Sequence, residues 1–499
     1  MEACNSEERA DIVSPARLQG FSDAVFATSA TLLVIPIRKF DLEEHETLKE
    51  GLTRRFPELA VFLVGFMVIC TIWESHIIRF KVISKIDDFV VTLTLLSLMF
   101  TTFLPFTVAI EGKYGQYSVA IILPCIILLV LEMLECSMFI YAFHTPRLLS
   151  TAFKSLSQNE LRVKKFQIFG KIALNCLLFV LAASFSTLSV VVSWVMIVVV
   201  IFTPLLRRLI AYCSKKFCCP NTESRPRVQV LIGRIDKERI EYFSDAAIAI
   251  VATLLVLDIT TEDFPKKAAV IKNGLAKTLI DMWQKFVAYI GSYVTVAILW
   301  FVHHSVLHQI KLLTPVMTMC NNLFLACLAG SPFVSTLVNK YTGHANHNEK
   351  IAVRVSCVIV FGAGFMQVVL FVLAFLKRER LLHPWAIPEG TRGHRTHIYL
   401  LLKTLIIPII TFVTFCASLS TDHVTYIVYH VSLVAVPVLF ILLKLAFACH
   451  CNQQSGSDDP SSVEHSVEEQ STNPTFYEPI IDAIDARTEA VRLSPKHQN

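Results

Sequence analysis

Two aspartates stand at matching points of a 499-residue chain, each closing the same short run. Arg17-Leu-Gln-Gly-Phe21-Ser22-Asp23 recurs as Arg239-Ile-Glu-Tyr-Phe243-Ser244-Asp245. Each carboxylate lies about one helical turn inside an apolar stretch, where a charge is costly unless protein, water or a helix start receives it. The chemistry open to it is electrostatic: bracing a helix start against polar neighbours, or attracting a cation. Trp73-x-x-His76 and Trp300-x-x-His303 fall at the same depth in later apolar stretches and offer an indole N–H and an imidazole as partners. A metal site is disfavoured, because no carboxylate or thiol recurs beside both histidines. Cys449-His450-Cys451 is too short to chelate alone, and most of the 14 cysteines sit inside apolar runs as small hydrophobes. No nucleophile–base pair is visible, so neither catalytic residues nor a cofactor is expected.

A second pattern runs along the same stretches. At about 100° per residue, Ala24, Thr28, Thr31 and Ile35 share one helical face, and Ala246, Ile250, Thr253 and Leu257 share the matching one. This stripe lies roughly 140° round the helix from each aspartate. The aspartates therefore brace the bundle while the Thr-bearing stripe meets water. Easing helix packing is the other common use of small and Thr residues in membranes. Asp258 follows the stripe at its outer end, where an acid ring would concentrate cations and a lone solvated carboxylate would be equally at home. Glu132 and Glu135 share a face and a depth, for which a pair of interhelical hydrogen bonds is the simplest account.

Membrane helices must hold these groups. The chain is 54% hydrophobic and 17% charged with mean hydropathy +0.57, against roughly 25% charged for a soluble domain. Apolar runs of membrane length predict spans near 20–37, 57–79, 89–110, 117–142, 167–187, 190–209, 240–259, 284–305, 317–338, 353–376, 399–419 and 425–448. Residues 1–16 are polar, and the first apolar run reads as a membrane helix, not a cleaved leader. With a cytosolic N-terminus the inner loops hold about 23 Lys and Arg and the outer loops about 12, the bias expected of both termini in the cytosol. The linker between the halves supplies much of that excess. The net charge of +5 is dispersed, so nucleic acid is not an expected partner.

The spans fall into two copies. Ala30-Thr31-Leu32-Leu33-Val34 recurs as Ala252-Thr253-Leu254-Leu255-Val256, at the same offset as the motif. Helix 3 closes on Leu104-Pro105-Phe106 and helix 9 on Ser331-Pro332-Phe333. Four features in one order mean duplication, and an even helix number makes the repeats parallel. The organisation expected is an all-α integral membrane protein of two tandem six-helix repeats, 17–209 and 239–448, after a cytosolic segment 1–16. A basic linker, 210–238, joins them, and a polar, disordered cytosolic tail follows over 449–499. In the linker, Cys218 and Cys219 follow Lys215-Lys216-Phe217 in a setting suited to palmitoylation, with reduced thiols as the plainer alternative.

The doubled Arg-x-x-x-Phe-Ser-Asp with its Trp-x-x-His pair resembles the endosomal and lysosomal potassium channels called transmembrane protein 175, over about residues 15–448, in the two-repeat animal form. The resemblance implies a homodimer in which helices 1 and 7 of both copies enclose one central pore, passing potassium ions and protons across an organellar bilayer. The Thr-Val-Gly-Tyr-Gly filter of other potassium channels is absent from the sequence. In the family an isoleucine five residues after each motif Asp narrows the pore. Ile250 matches, whereas helix 1 carries Thr28 there, a constriction half apolar and half hydroxyl. Thr31 and Thr253 match hydroxyl positions beside it. The alternative is a six-plus-six secondary transporter, but helices 1 and 7 lack the mid-helix charge or Gly/Pro break that transporters use. A membrane-embedded enzyme ranks below both.

The tail carries Tyr477-Glu-Pro-Ile480, the tyrosine-x-x-bulky-apolar pattern that clathrin adaptors bind in extended form. Tyr477→Ala is expected to move the protein toward the cell surface, seen by imaging, with conductance unchanged. Unaltered endolysosomal location would place the address elsewhere.

Overall fold

The structure, a computed structural model, describes residues 15–203 and 235–455 apart from 41, 263, 342–346, 377, 388 and 389. Cys218, Cys219 and Tyr477–Ile480 therefore lie outside the described residues. The first repeat contains α1 (Pro15–Leu32), α2 (Leu48–Val82), α3 (Asp88–Tyr114), α4 (Ser118–His144), α5 (Gln158–Phe185) and α6 (Val190–Thr203). The second contains α7 (Lys237–Leu254), α8 (Trp283–Gln309), α9 (Pro315–Tyr341, interrupted at Gly330), α10 (His347–Leu376), α11 (Gly390–Ala417) and α12 (Asp422–Ser455). Eleven of these are long and apolar enough to cross a membrane, and α6 is shorter within the described residues. The only β pairing among the described residues is two isolated bridges.

Several helices begin well before their apolar runs, and capping explains why. At α2, Thr47 Oγ1 accepts from Glu50 N at 3.4 Å while the Glu50 carboxylate accepts from Thr47 N at 2.9 Å. At α5, Ser157 and Glu160 make the same reciprocal pair at 3.3 and 3.0 Å. Each box satisfies two backbone donors that lack helical partners and is worth about 1 kcal/mol. The sequence therefore starts α2 at 48, not 57, and α5 at 158, not 167. Helix α3 also runs through Pro105 to Tyr114, so Leu104-Pro105-Phe106 sits inside the helix and does not end it.

Duplication is visible in the loops as well as the helices. Ile83 bridges Leu149, with Ser84 and Lys85 N–H donating to the Leu148 carbonyl. Ile310 bridges Leu382, with Lys311 and Leu312 N–H donating to the Leu381 carbonyl. A lysine of the fifth helix in each copy reaches a serine of the second: Lys171 donates to Ser75, and Lys403 to Ser305 at 2.5 Å. Between the copies α1 lies along α7, and α2 packs on α9 and α10. The core is largely continuous across both copies and includes Phe26, Trp73, Phe243 and Phe333.

Helices α10 and α11 approach closely at Gly364, where an added Cβ would meet Pro408 Cδ at 2.9 Å and Ile407 Cγ2 at 3.3 Å. Small residues permit such contacts in membranes, and a proline ring cannot swing aside. Gly364→Ala is expected to lose about 1–3 kcal/mol by overpacking. Thermal unfolding in detergent reads this as a lowered midpoint. An unchanged midpoint would mean that the helices separate freely there.

Candidate ion-pathway site

The first motif closes on itself through the second. Asp23 is buried at 2% exposure, and its Oδ1 accepts Trp73 Nε1–H at 2.9 Å and Arg239 Nη2–H at 2.7 Å. Arg239 also donates to the Gln19 carbonyl at 3.3 Å. Phe243 lies flat on the Trp73 indole, with ring centroids 4.0 Å apart and planes 23° apart. Arg239 and Phe243 belong to the second copy, while Asp23 and Trp73 belong to the first. An ion pair with two donors on one carboxylate oxygen is the arrangement that makes a charge tolerable away from water. The cluster thus ties α7 to α1 and α2.

The matching cluster around Asp245 is half made. Trp300 Nε1–H donates to Asp245 Oδ1 at 2.8 Å, as Trp73 does to Asp23. Asp245 itself is exposed, and Trp300 is 39% exposed where Trp73 is 0%. The counterparts of Arg239 and Phe243 in the first copy, Arg17 and Phe21, both lie exposed elsewhere on the chain, Phe21 at 54% against 0% for Phe243. The difference continues along the helices. Asp23, Ala27 and Thr31 are buried on α1, whereas their counterparts Asp245, Ala249 and Thr253 are exposed on α7.

The remaining motif residues serve packing. Ser22 donates to the Leu18 carbonyl at 2.7 Å. Ser244 accepts from Asn321 Nδ2 at 3.2 Å. Neither histidine reaches an aspartate. His76 faces Phe26 and lies against Arg79, and His303 stacks on Phe324 at 4.7 Å. Glu132 Oε1 accepts from Asn175 at 2.7 Å, an interhelical bond, and Glu132 and Glu135 line a small internal cavity with Arg79 and His76. Sequence reasoning missed Arg79, Asn321 and the pair Glu74–Asn322, whose Nδ2 donates to Glu74 Oε1 at 3.0 Å across the two repeats. A Glu beside Trp73 and paired asparagines within apolar runs were the available signal.

Along the stripe, Thr28 and Ile250 are both partly exposed, and Ala24 and Thr253 are exposed. Thr28 Oγ1 donates to the Ala24 carbonyl at 2.7 Å, and Thr253 Oγ1 to the Ile250 carbonyl at 2.8 Å. Each hydroxyl spends its proton on its own helix and keeps its oxygen lone pairs for water or a cation. Thr31 is different: it is fully buried, with its hydroxyl against the Ala27 and Thr28 carbonyls at 2.9 and 3.0 Å. The expectation that Thr31 lines open space is therefore corrected, because the Asp23–Arg239 cluster turns that face of α1 inward. Asp258 begins a π-helical turn, and its side chain lies outside the described residues.

Comparison with known proteins follows the same two copies. The family described as the endosomal/lysosomal potassium channel TMEM175 matches residues 17–105 and again 239–332. The endosomal/lysosomal proton channel TMEM175 of Danio rerio is 30% identical over 440 residues, 86% of this chain and 83% of that protein. A potassium channel of Chamaesiphon minutus is 31% identical over 106 residues, 21% of this chain and 51% of its own length. The crystal structure of a lysosomal potassium-selective channel TMEM175 homolog from Chamaesiphon minutus aligns with a TM-score of 0.34 and 23% identity, covering 41% of this chain and 96% of that one.

Asp23→Ala leaves the Arg239 guanidinium without its carboxylate, a loss of about 3–5 kcal/mol for a broken buried pair. The expected readout is a lower unfolding midpoint and yield, partly recovered when Arg239→Gln is added. Wild-type stability for Asp23→Ala would remove the cluster from its bracing role.

Proposed function

The chain belongs to the endosomal/lysosomal potassium channel family TMEM175, and we propose that two copies of it enclose one cation pore that carries potassium ions and protons across endosomal and lysosomal membranes. One observation carries this reading: the cluster complete at Asp23 is half made at Asp245, and its missing parts, Arg17 and Phe21, stand exposed on the same chain. A two-fold axis joins such halves, each copy giving Arg17 and Phe21 to the other's Asp245 and Trp300. Helices α1 and α7 of both copies then surround the axis in quasi-four-fold order. Both termini lie in the cytosol in this reading, as the lysine and arginine bias favours.

The stripe supplies the pathway. Ala24 and Ala246 keep it wide near the cytosolic end, and Thr28 and Ile250 converge farther in. Two isoleucines and two threonines would form the narrowest ring. Its apolar half resists wetting, and its hydroxyl half offers oxygen to a partly dehydrated ion. No backbone-carbonyl filter is needed for such a ring. A barrier built from dewetting is low enough for continuous leak and admits protons along any water file that forms. The relatives' names point to the same pair of ions, proton channel in Danio rerio and potassium channel in Chamaesiphon minutus.

Purified protein in a planar bilayer tests this directly. Unitary current steps carried by potassium are expected, and smooth turnover without steps would favour the transporter. Ile250→Asn should raise the resting current by easing wetting of the ring, and Thr28→Ile should lower it by making the ring fully apolar. Wild-type currents from both variants would mean that the stripe does not line the pore.

A further inference from the structure

A second half-made junction lies at the opposite ends of the helices, on the luminal side in the topology proposed above. After α1 the chain places Phe40 against two aromatic rings of the second repeat. Phe333 meets it edge-on at 6.4 Å and Tyr341 at 6.4 Å. Lys340 Nζ donates to the Phe40 carbonyl at 2.9 Å while lying 5.8 Å above the Tyr341 ring. Phe40 and Phe333 are almost fully buried as a result, at 3% and 2%. Two edge-on aromatic contacts and a charge-assisted hydrogen bond make this a specific seat, not loose apolar contact.

The first repeat carries the same seat. Phe106, Lys113 and Tyr114 precede Phe333, Lys340 and Tyr341 by 227 residues each, the spacing that also separates Trp73 from Trp300. The geometry is repeated too, with Lys113 Nζ 5.6 Å above the Tyr114 ring. Among the described residues no counterpart to Phe40 fills this seat: Phe106 is 53% and Tyr114 45% exposed. The segment that should fill it is also exposed. Between α7 and α8 the only aromatic residue before Trp283 is Phe264, as Phe40 is the only one between α1 and α2. Phe264 is 66% exposed. The apolar and basic residues after it, Ile271, Leu275 and Ile280 among them, are exposed as well.

We propose that Phe264 of each copy docks in the Phe106–Lys113–Tyr114 seat of the other, a luminal clasp that repeats between chains the contact Phe40 makes within one. The clasp rests on the dimer proposed above and adds to it a second point of attachment at the far end of α1 and α7. Lys113 donates to the Phe264 carbonyl there, as Lys340 does to that of Phe40. With both ends tied, the helices around the axis cannot splay apart on one side, and the width of the constriction is fixed. An isologous interface of this kind gives two identical clasps per dimer.

Cysteine cross-linking tests the clasp. Oxidation of the full-length Phe264→Cys/Tyr114→Cys variant with copper phenanthroline should give a covalent dimer on a non-reducing gel. Each single variant, which keeps all native cysteines, should give none. Light scattering of the wild type in detergent runs beside it. Two chains per particle without a cross-link in the double variant would overturn the clasp and leave the dimer standing. One chain per particle would overturn both. As a check independent of cysteine geometry, Phe264→Ala and Phe106→Ala should each weaken dimerisation about tenfold, and together no more than either alone, as contacting residues do. Fully additive losses, or none, would mean that the two side chains do not meet.

Discussion

A carboxylate held away from water is the constraint on which the arrangement depends. Asp23 is tolerable only because an indole and a guanidinium converge on one of its oxygens, and the guanidinium comes from the other repeat. The first repeat therefore cannot satisfy its own motif. It needs the second, and α1 must lie along α7 at the depth where Arg239 reaches Asp23. That single requirement fixes the register of the two helices that carry the stripe. It also fixes which face turns inward, so Thr31 is enclosed while Thr28 stays open.

A duplicated sequence folded once leaves one such junction satisfied and one open, and in the proposed dimer the open one would direct assembly. Asp245 keeps its indole donor but is exposed, so water serves it in a lone chain. In the dimer proposed above, closure by a second copy would replace that water with a charged hydrogen bond and bury Phe21 against Trp300. The pore would then be a consequence of assembly: α1 and α7 of one chain would form half of a wall, and Thr28 and Ile250 would become a ring only when two halves face each other. The unequal pair would give that ring two-fold character in place of four-fold, with polar and apolar sides alternating round the axis.

Much of this was legible in the sequence, and the parts that were not share a physical reason. The repeats, the apolar spans and the paired motif depend on residue order, so they could be read directly. Helix starts were misjudged where hydropathy was used alone, because α2 and α5 begin at the capping boxes Thr47/Glu50 and Ser157/Glu160, outside the apolar runs. The unequal burial of Asp23 and Asp245 could not be read, because the two stretches look alike and differ only in what packs on them. The same holds for Thr31, which hydropathy and spacing place on a stripe but packing removes from it. Tryptophan and histidine were paired with the aspartates together by depth, and only the tryptophans bond them, since the histidines, three residues on and about 60° round the same side of the helix, pack on aromatic rings instead.

The central claim is that Asp245 waits for Arg17 of a second chain, and exchanging the two charges tests it most directly. Light scattering and bilayer recording would be applied to Asp245→Arg alone and to Asp245→Arg combined with Arg17→Asp. The account predicts that the single variant places two cations at the junction and loses both dimer and unitary current. The double variant should regain both, because the pair is restored in reverse while Asp23 and Arg239 are untouched. A double variant as monomeric and silent as the single one, or a single variant that assembles and conducts normally, would contradict the account.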